Sequence, residues 1–156
     1  MNLLIRLTCL SSILIATLAW AEKTDVEGRW LTEKGDGWIT IQTVGDSLEG
    51  SVAGSPDPEQ REEREFDDRN PDPNLRTRRL DGLTIMKGFE YDGDGRWSGG
   101  TVYDPNSGKT YKCTITQVDA DTLKIRGFIG ISLFGRSETW TRDGQTGKSL
   151  LRTTQN

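Results

Sequence analysis

Histidine is absent from all 156 residues. That absence excludes Ser-His-Asp and Cys-His catalysis, histidine-ligated zinc and acid–base work by an imidazole. Cysteine is nearly absent: Cys9 sits in an N-terminal apolar run and Cys113 far along the chain. With the N-terminal run removed a single thiol remains, so neither an intramolecular disulfide nor a closed cysteine-rich zinc site can form. Nor is there an excess of basic charge. Twenty Lys and Arg face 24 Asp and Glu, for a net charge of −4, which argues against general nucleic-acid binding through charge.

The one long apolar stretch, "LTCLSSILIATLAW", follows Arg6 and runs into Ala19-Trp20-Ala21. It is short for a membrane span, and small-x-small before polar "EKTD" marks a cleavage point. Residues 1–21 are therefore expected to be a cleaved signal peptide, with an uncleaved anchor as the open alternative. Cys9 lies inside the apolar run, without the small-residue context of a lipoprotein signal. Cleavage of 21 residues from 156 leaves 135, enough for one domain with a real core. The lost segment holds one basic residue and no acid, so the net charge moves from −4 to −5. The secreted protein would not be an integral membrane protein.

What the mature chain does have is alternation. Eight short runs rich in β-branched and aromatic residues ("GRWLTE", "WITIQTV", "LEGSVAG", "LTIMKGFEY", "RWSGGTVYD", "KTYKCTITQV", "TLKIRGFIG", "SETWTR") are separated mostly by Gly, Asp, Asn and Pro clusters. Tyr111, Cys113 and Ile115 alternate with Lys112, Thr114 and Thr116, and Leu123 and Ile125 alternate with Lys124 and Arg126. One face of each strand is dry and the other wet. The expected fold is all-β, an eight-stranded antiparallel up-and-down barrel over residues 22–142; a two-sheet sandwich fits the same pattern. Glycines within the runs, such as Gly50, Gly99, Gly100 and Gly127, suit the bends of a small barrel.

The exception is the charged insert, residues 55–79, "SPDPEQREEREFDDRNPDPNLRTRR". Asp57 can cap a short helix with Pro58 at its first position, and Phe66 is its only apolar anchor. The insert is either a solvated loop or a lid over the barrel mouth. Residues 143–156 offer only Leu150 and Leu151 to bury and are expected to be a disordered tail.

Two motifs invite chemistry and fail. Gly108-Lys109-Thr110 ends like a phosphate loop, but Tyr103 stands where the first glycine belongs and a strand pattern follows. Asp104 to Gly108, "DPNSG", is a hairpin turn. "DGDG" at 92–95 begins like a calcium loop, yet Trp97 and Tyr103 occupy the required Gly and Glu positions. No acid sits in an apolar setting that would tune it for catalysis. Trp30, Trp38, Trp97 and Trp140 fall on strands, with packing as their default role. Cys113 is expected to pack as a small apolar residue and Arg126 to face solvent.

"WSGGTVYDPNSGKTYKC", "LKIRGFIGISLFGRSETWTR", "NPDPNLRTRRLDGL" and the opening "GRW" resemble the bacterial domain-of-unknown-function 2147 family over residues 26–142. That family is similar to lipocalin-like eight-stranded barrels of secreted proteins and has no established activity. The resemblance implies that Trp30, in Gly28-Arg29-Trp30, and Arg142 form a barrel-closing pair. Some relatives carry a cysteine pair near the insert; this chain has none there.

The expectation is a secreted, periplasmic, non-catalytic binding module without cofactor or metal. Its ligand would be small and apolar or lipid-like, held in an interior lined by Trp38, Tyr111, Cys113, Ile115, Leu123 and Ile125. The alternative is an envelope interaction protein with a solid barrel that meets a protein partner through insert 55–79.

Overall fold

In the computed structural model, residues 26–57, 59, 65–130 and 135–144 are described. The expected signal segment and most of both the expected short helix and the expected tail lie outside these residues. Nine strands form one antiparallel sheet: β1 (Gly28–Leu31), β2 (Trp38–Val44), β3 (Ser47–Val52), β4 (Thr84–Gly93), β5 (Arg96–Ser98), β6 (Thr101–Asp104), β7 (Lys109–Asp119), β8 (Thr122–Phe128) and β9 (Gly135–Arg142). β5 and β6 are two halves of one run, both lying between β4 and β7. Counted together they give the eight strands of a closed barrel. It shuts where β3 pairs with β4 and β1 with β9. Each described strand thereby has a paired neighbour on both sides, which is what closure achieves for an all-β chain.

The break in the fifth strand falls at Gly99-Gly100, where Gly99 holds a positive φ of 78°. A Cβ on Gly100 would lie 2.4 Å from the Phe89 ring, and Phe89 is fully buried. The aromatic ring occupies the space a side chain would need, so only glycine fits at position 100.

Side-chain alternation fills the barrel. Trp30, Ile39, Ile41, Leu48, Met86, Phe89, Trp97, Cys113, Ile115, Leu123 and Trp140 form the middle of a single core cluster. Trp30, Phe89, Ile115 and Leu123 have 0% exposure. A side chain bordering a void wide enough for a water molecule would show exposed surface to it. The barrel is solid at their level, as small eight-stranded barrels can be.

The links sort by length. β2–β3, β4–β5 and β7–β8 are joined by two residues each, all at one end of the barrel. In the second of these Asp94 and Gly95 both take positive φ, 51° and 67°, the pairing a tight hairpin turn requires. At the other end the links are 32–37, 53–83, 105–108 and 129–134, the second containing the insert and a short 3-10 helix (Pro73–Leu75).

Candidate functional site at the loop-bearing end

The short-turn end is plugged. The Trp30 indole N–H donates to the Val26 carbonyl at 3.0 Å, and the Arg142 guanidinium lies 4.2 Å over the Trp30 ring. Arg142 also donates through Nε to the Ala120 carbonyl (2.7 Å) and through Nη1 to the Glu27 carbonyl (2.8 Å). One cation thus ties the first strand, the β7–β8 turn and the last strand together. A Cβ at position 28 would come within 2.8 Å of that guanidinium, which explains the glycine of "GRW". Arg29 pairs with Asp143 on the adjoining surface and stacks 4.5 Å over the Trp38 ring.

The opposite end carries the polar chemistry, and its centre is Asp67. Its side chain is fully buried. Oδ1 accepts from the Tyr103 hydroxyl at 2.6 Å; Oδ2 accepts from Asn70 Nδ2 at 2.7 Å and from Arg78 Nε at 2.8 Å. Burial alone would push the Asp67 carboxyl up. The three hydrogen bonds, from Tyr103, Asn70 and Arg78, together with the charge of Arg78 outweigh it and hold the group below the ordinary carboxylate range. Tyr103 moves the other way: burial and its bond to the anion push the phenol up. A carboxylate saturated by donors and held low cannot serve as a general acid near neutral pH. This cluster is an anchor.

It anchors the insert. The main chain of 65–79 closes on itself, with Asp67 N–H donating to the Arg78 carbonyl (3.0 Å), Leu80 N–H to the Glu65 carbonyl (2.9 Å) and a bridge between Phe66 and Arg79. Through Tyr103 it is bound to β6, and Arg69 Nη1 donates to the Asn106 carbonyl in the β6–β7 turn at 2.8 Å. That turn is the "DPNSG" hairpin: Gly108 has φ +68° and its N–H donates to the Asp104 carbonyl at 2.8 Å. A Cβ on Gly108 would sit 2.2 Å from the Arg69 carbonyl oxygen, so insert and turn are packed backbone to backbone. Phe66 is not the anchor expected of it; it is 42% exposed. Asp57 Oδ1 does accept from Glu59 N–H at 2.9 Å, as a helix cap would.

The expected interior residues separate into three groups. Cys113, Ile115, Leu123 and Ile125 lie in the core cluster. Burial pushes the Cys113 thiol up to about 12, which makes it inert. Tyr111 points to the same face but stands partly exposed at the loop-bearing rim, its hydroxyl 3.5 Å from Ser107 Oγ. Trp38 is not an interior residue. It pairs with Leu31 and shares the outer face of β2 with Thr40 and Gln42, opposite Ile39 and Ile41, where Arg29 covers it. The period of two in "WITIQTV" already places it there; aromatic size is what suggests an interior role.

Two residues at this end were missed. Glu138 faces inward across from Ile125, partly buried, with the Trp140 indole N–H 3.4 Å from Oε2. Alternation in "SETWTR" puts it on the same face as Trp140 and could have found it. Asp67 had no such signal, being one acid among many in "EREFDDRNPD". Among the described residues no cluster of three or more potential metal ligands occurs. No described helix is long and apolar enough to cross a membrane.

Residues 28–142 match the family model described as "Uncharacterized protein conserved in bacteria (DUF2147)". No curated protein matches the chain. Among solved structures the chain is similar to the Helicobacter pylori protein HP1028, described as belonging to the lipocalin family. The TM-score is 0.72 at 19% identity, over 85% of this chain and 92% of that one. At that identity the likeness shows the fold.

Proposed function

The chain belongs to the DUF2147 family of uncharacterised bacterial proteins and has a lipocalin-like barrel, and from that premise we propose a non-catalytic binding module that works after export, in the periplasm. We further propose that it engages a protein partner at the loop-bearing end instead of enclosing a ligand. The observation that carries this is the filled interior: Trp30, Phe89, Ile115 and Leu123 leave no water-sized space beside them. The structural investment lies instead in holding the insert at the rim through buried Asp67. An ordered loop costs less entropy to dock than a free one.

The competing reading is a small apolar or lipid-like ligand. It is confined to the shallow inner rim near Tyr111 and Val102, which are partly exposed. Photocrosslinking in the native envelope separates the two. A crosslinker at Leu75 or Ile129, both exposed at the loop-bearing end, is expected to trap a discrete protein, and one at Val118, exposed next to the β7–β8 turn, is not. A stoichiometric small molecule retained in native mass spectrometry, with no crosslink from either loop position, overturns the proposal.

A further inference from the structure

The outer wall formed by β4 to β9 carries a pattern opposite in sign to the whole chain. Cross-strand registers set Lys87 and Lys112 on either side of Thr101, and Arg96 and Lys124 on either side of Thr116. Thr114 and Ser137 likewise flank Arg126. Cations therefore alternate with hydroxyls along each row, two strand spacings or about 10 Å apart. An open, shallow depression lies on this wall over β5, β7 and β8. Arg96 pairs with Asp92 at 3.5 Å, and Arg126 donates to Ser137 Oγ at 3.3 Å. Among the described residues Lys87, Lys112 and Lys124 have no ion-pair partner. On these outward positions the carboxylates are Glu90 and Asp92 on β4 and Asp119 at the short-turn end of β7.

Five cations gathered on one wall of a chain with net charge −4 are a segregated field. Their spacing decides what they suit. They do not converge on one point, as the donors for a single phosphate would. A dense polyanion would also meet the aspartates of the short-turn end, Asp46, Asp94, Asp119 and Asp121. Sparse carboxylates on an extended segment laid along β8 fit both facts, because alternate residues of such a segment lie about 7 Å apart and point the same way, as Lys124 and Arg126 do on that strand. The hydroxyls between the cations can meet such a segment's other polar groups. We infer that this wall is a docking surface for an extended acidic peptide segment of a partner protein. The inference rests on the binding-module reading and gives the partner its chemistry; the wall runs up to the loop-bearing end at Lys112 and Phe128.

The test uses the full mature chain and a fluorescein-labelled peptide of alternating Glu and Ser. Fluorescence anisotropy should show saturable binding at low salt that weakens at about 0.15 M ionic strength. Lys112→Gln combined with Lys124→Gln removes two positive charges and should lower the affinity about fivefold or more. A Gln42→Glu, Val44→Glu variant on the far wall adds two negative charges and should change the affinity less than twofold. Equal loss in both variants means net charge alone is being read, and overturns the inference. So does tighter binding to anionic phosphatidylglycerol vesicles than to the peptide, or low-salt dimerisation abolished by Lys124→Glu, which names a second copy as the occupant. Crosslinks from Leu75 without peptide binding sink the acidic-segment inference alone. Peptide binding without those crosslinks sinks the loop-end reading and leaves the wall standing.

Discussion

The two ends of this barrel are built from different physics. At one, three links of two residues leave little surface, and a buried tryptophan is clamped by an arginine that also holds two backbone carbonyls. At the other, residues 65–79 of the longest link are secured by a buried carboxylate and its donors. The first end stabilises the whole barrel, because Trp30 belongs to the common core. The second secures a segment that is closed on itself and tied to the barrel at a few points. Apolar packing is concentrated where the links are shortest, and buried polar order where they are longest.

Trp30→Ala should break that comparison most severely. Removing a fully buried indole costs about 3–5 kcal/mol, and chemical denaturation should register the loss across the entire barrel in one transition. If the variant lost less than about 1 kcal/mol, the clamped end would not be the keystone described above.

Asp67→Asn comes next. It keeps the shape but removes the charge that three donors address, at a cost of about 2 kcal/mol. Hydrogen exchange should show amides of residues 65–79 released while β7 and β8 stay protected. Its pH signature has a definite sign. The folded Asp67 carboxyl lies below its ordinary value of 3.8. Its contribution is therefore full above about pH 4 in the wild type and is lost as pH falls through the lower, folded value. Asp67→Asn should flatten that part of the acid limb. An unchanged limb would assign it to other carboxylates.

Gly108→Ala sharpens the contrast from the backbone side. The added methyl meets the Arg69 carbonyl, and position 108 must hold a positive φ. A loss of about 1–2 kcal/mol is expected, confined to the turn and insert, read as faster proteolysis near residue 69 with an almost unchanged barrel transition. Simultaneous melting of the whole protein would mean that insert and barrel form one cooperative unit.

The smallest effect is a chemical one, midway between the ends. With its pKa pushed up to about 12 and its side chain in the core, Cys113 should resist iodoacetamide at pH 8 in the native state and react fully in denaturant. Native labelling at the rate of a free thiol would show that the interior opens.

How far the chain announces all this differs between the regions. The runs "WITIQTV" and "KTYKCTITQV" match β2 and β7 to within one residue, because period-2 alternation and Gly/Asp turns are local signals. "RWSGGTVYD" looks like one strand and is two; Gly99-Gly100 divides it, and the Phe89 ring that leaves room only for glycine at position 100 comes from a neighbouring strand. Trp38 looks like a pocket residue by its size and lies outside by its parity. The cationic wall is invisible along the chain: Lys87, Lys112 and Lys124 are scattered over three runs, and only the barrel register sets them around shared threonines.

By itself, the sequence determined the all-β class, the positions of the strands and tight turns, and the chemistries closed to a chain without histidine and with one cysteine outside its N-terminal apolar run. Those follow from local steric preference and from composition, which need no partner residue. The tertiary structure alone decided that the interior is solid at its centre, that Asp67 and not Phe66 holds the insert, and that the charges of one wall face together. Each of these depends on atoms brought together from distant parts of the chain, such as Asp67 with Tyr103. Closing the barrel chooses those encounters, and no local preference encodes them.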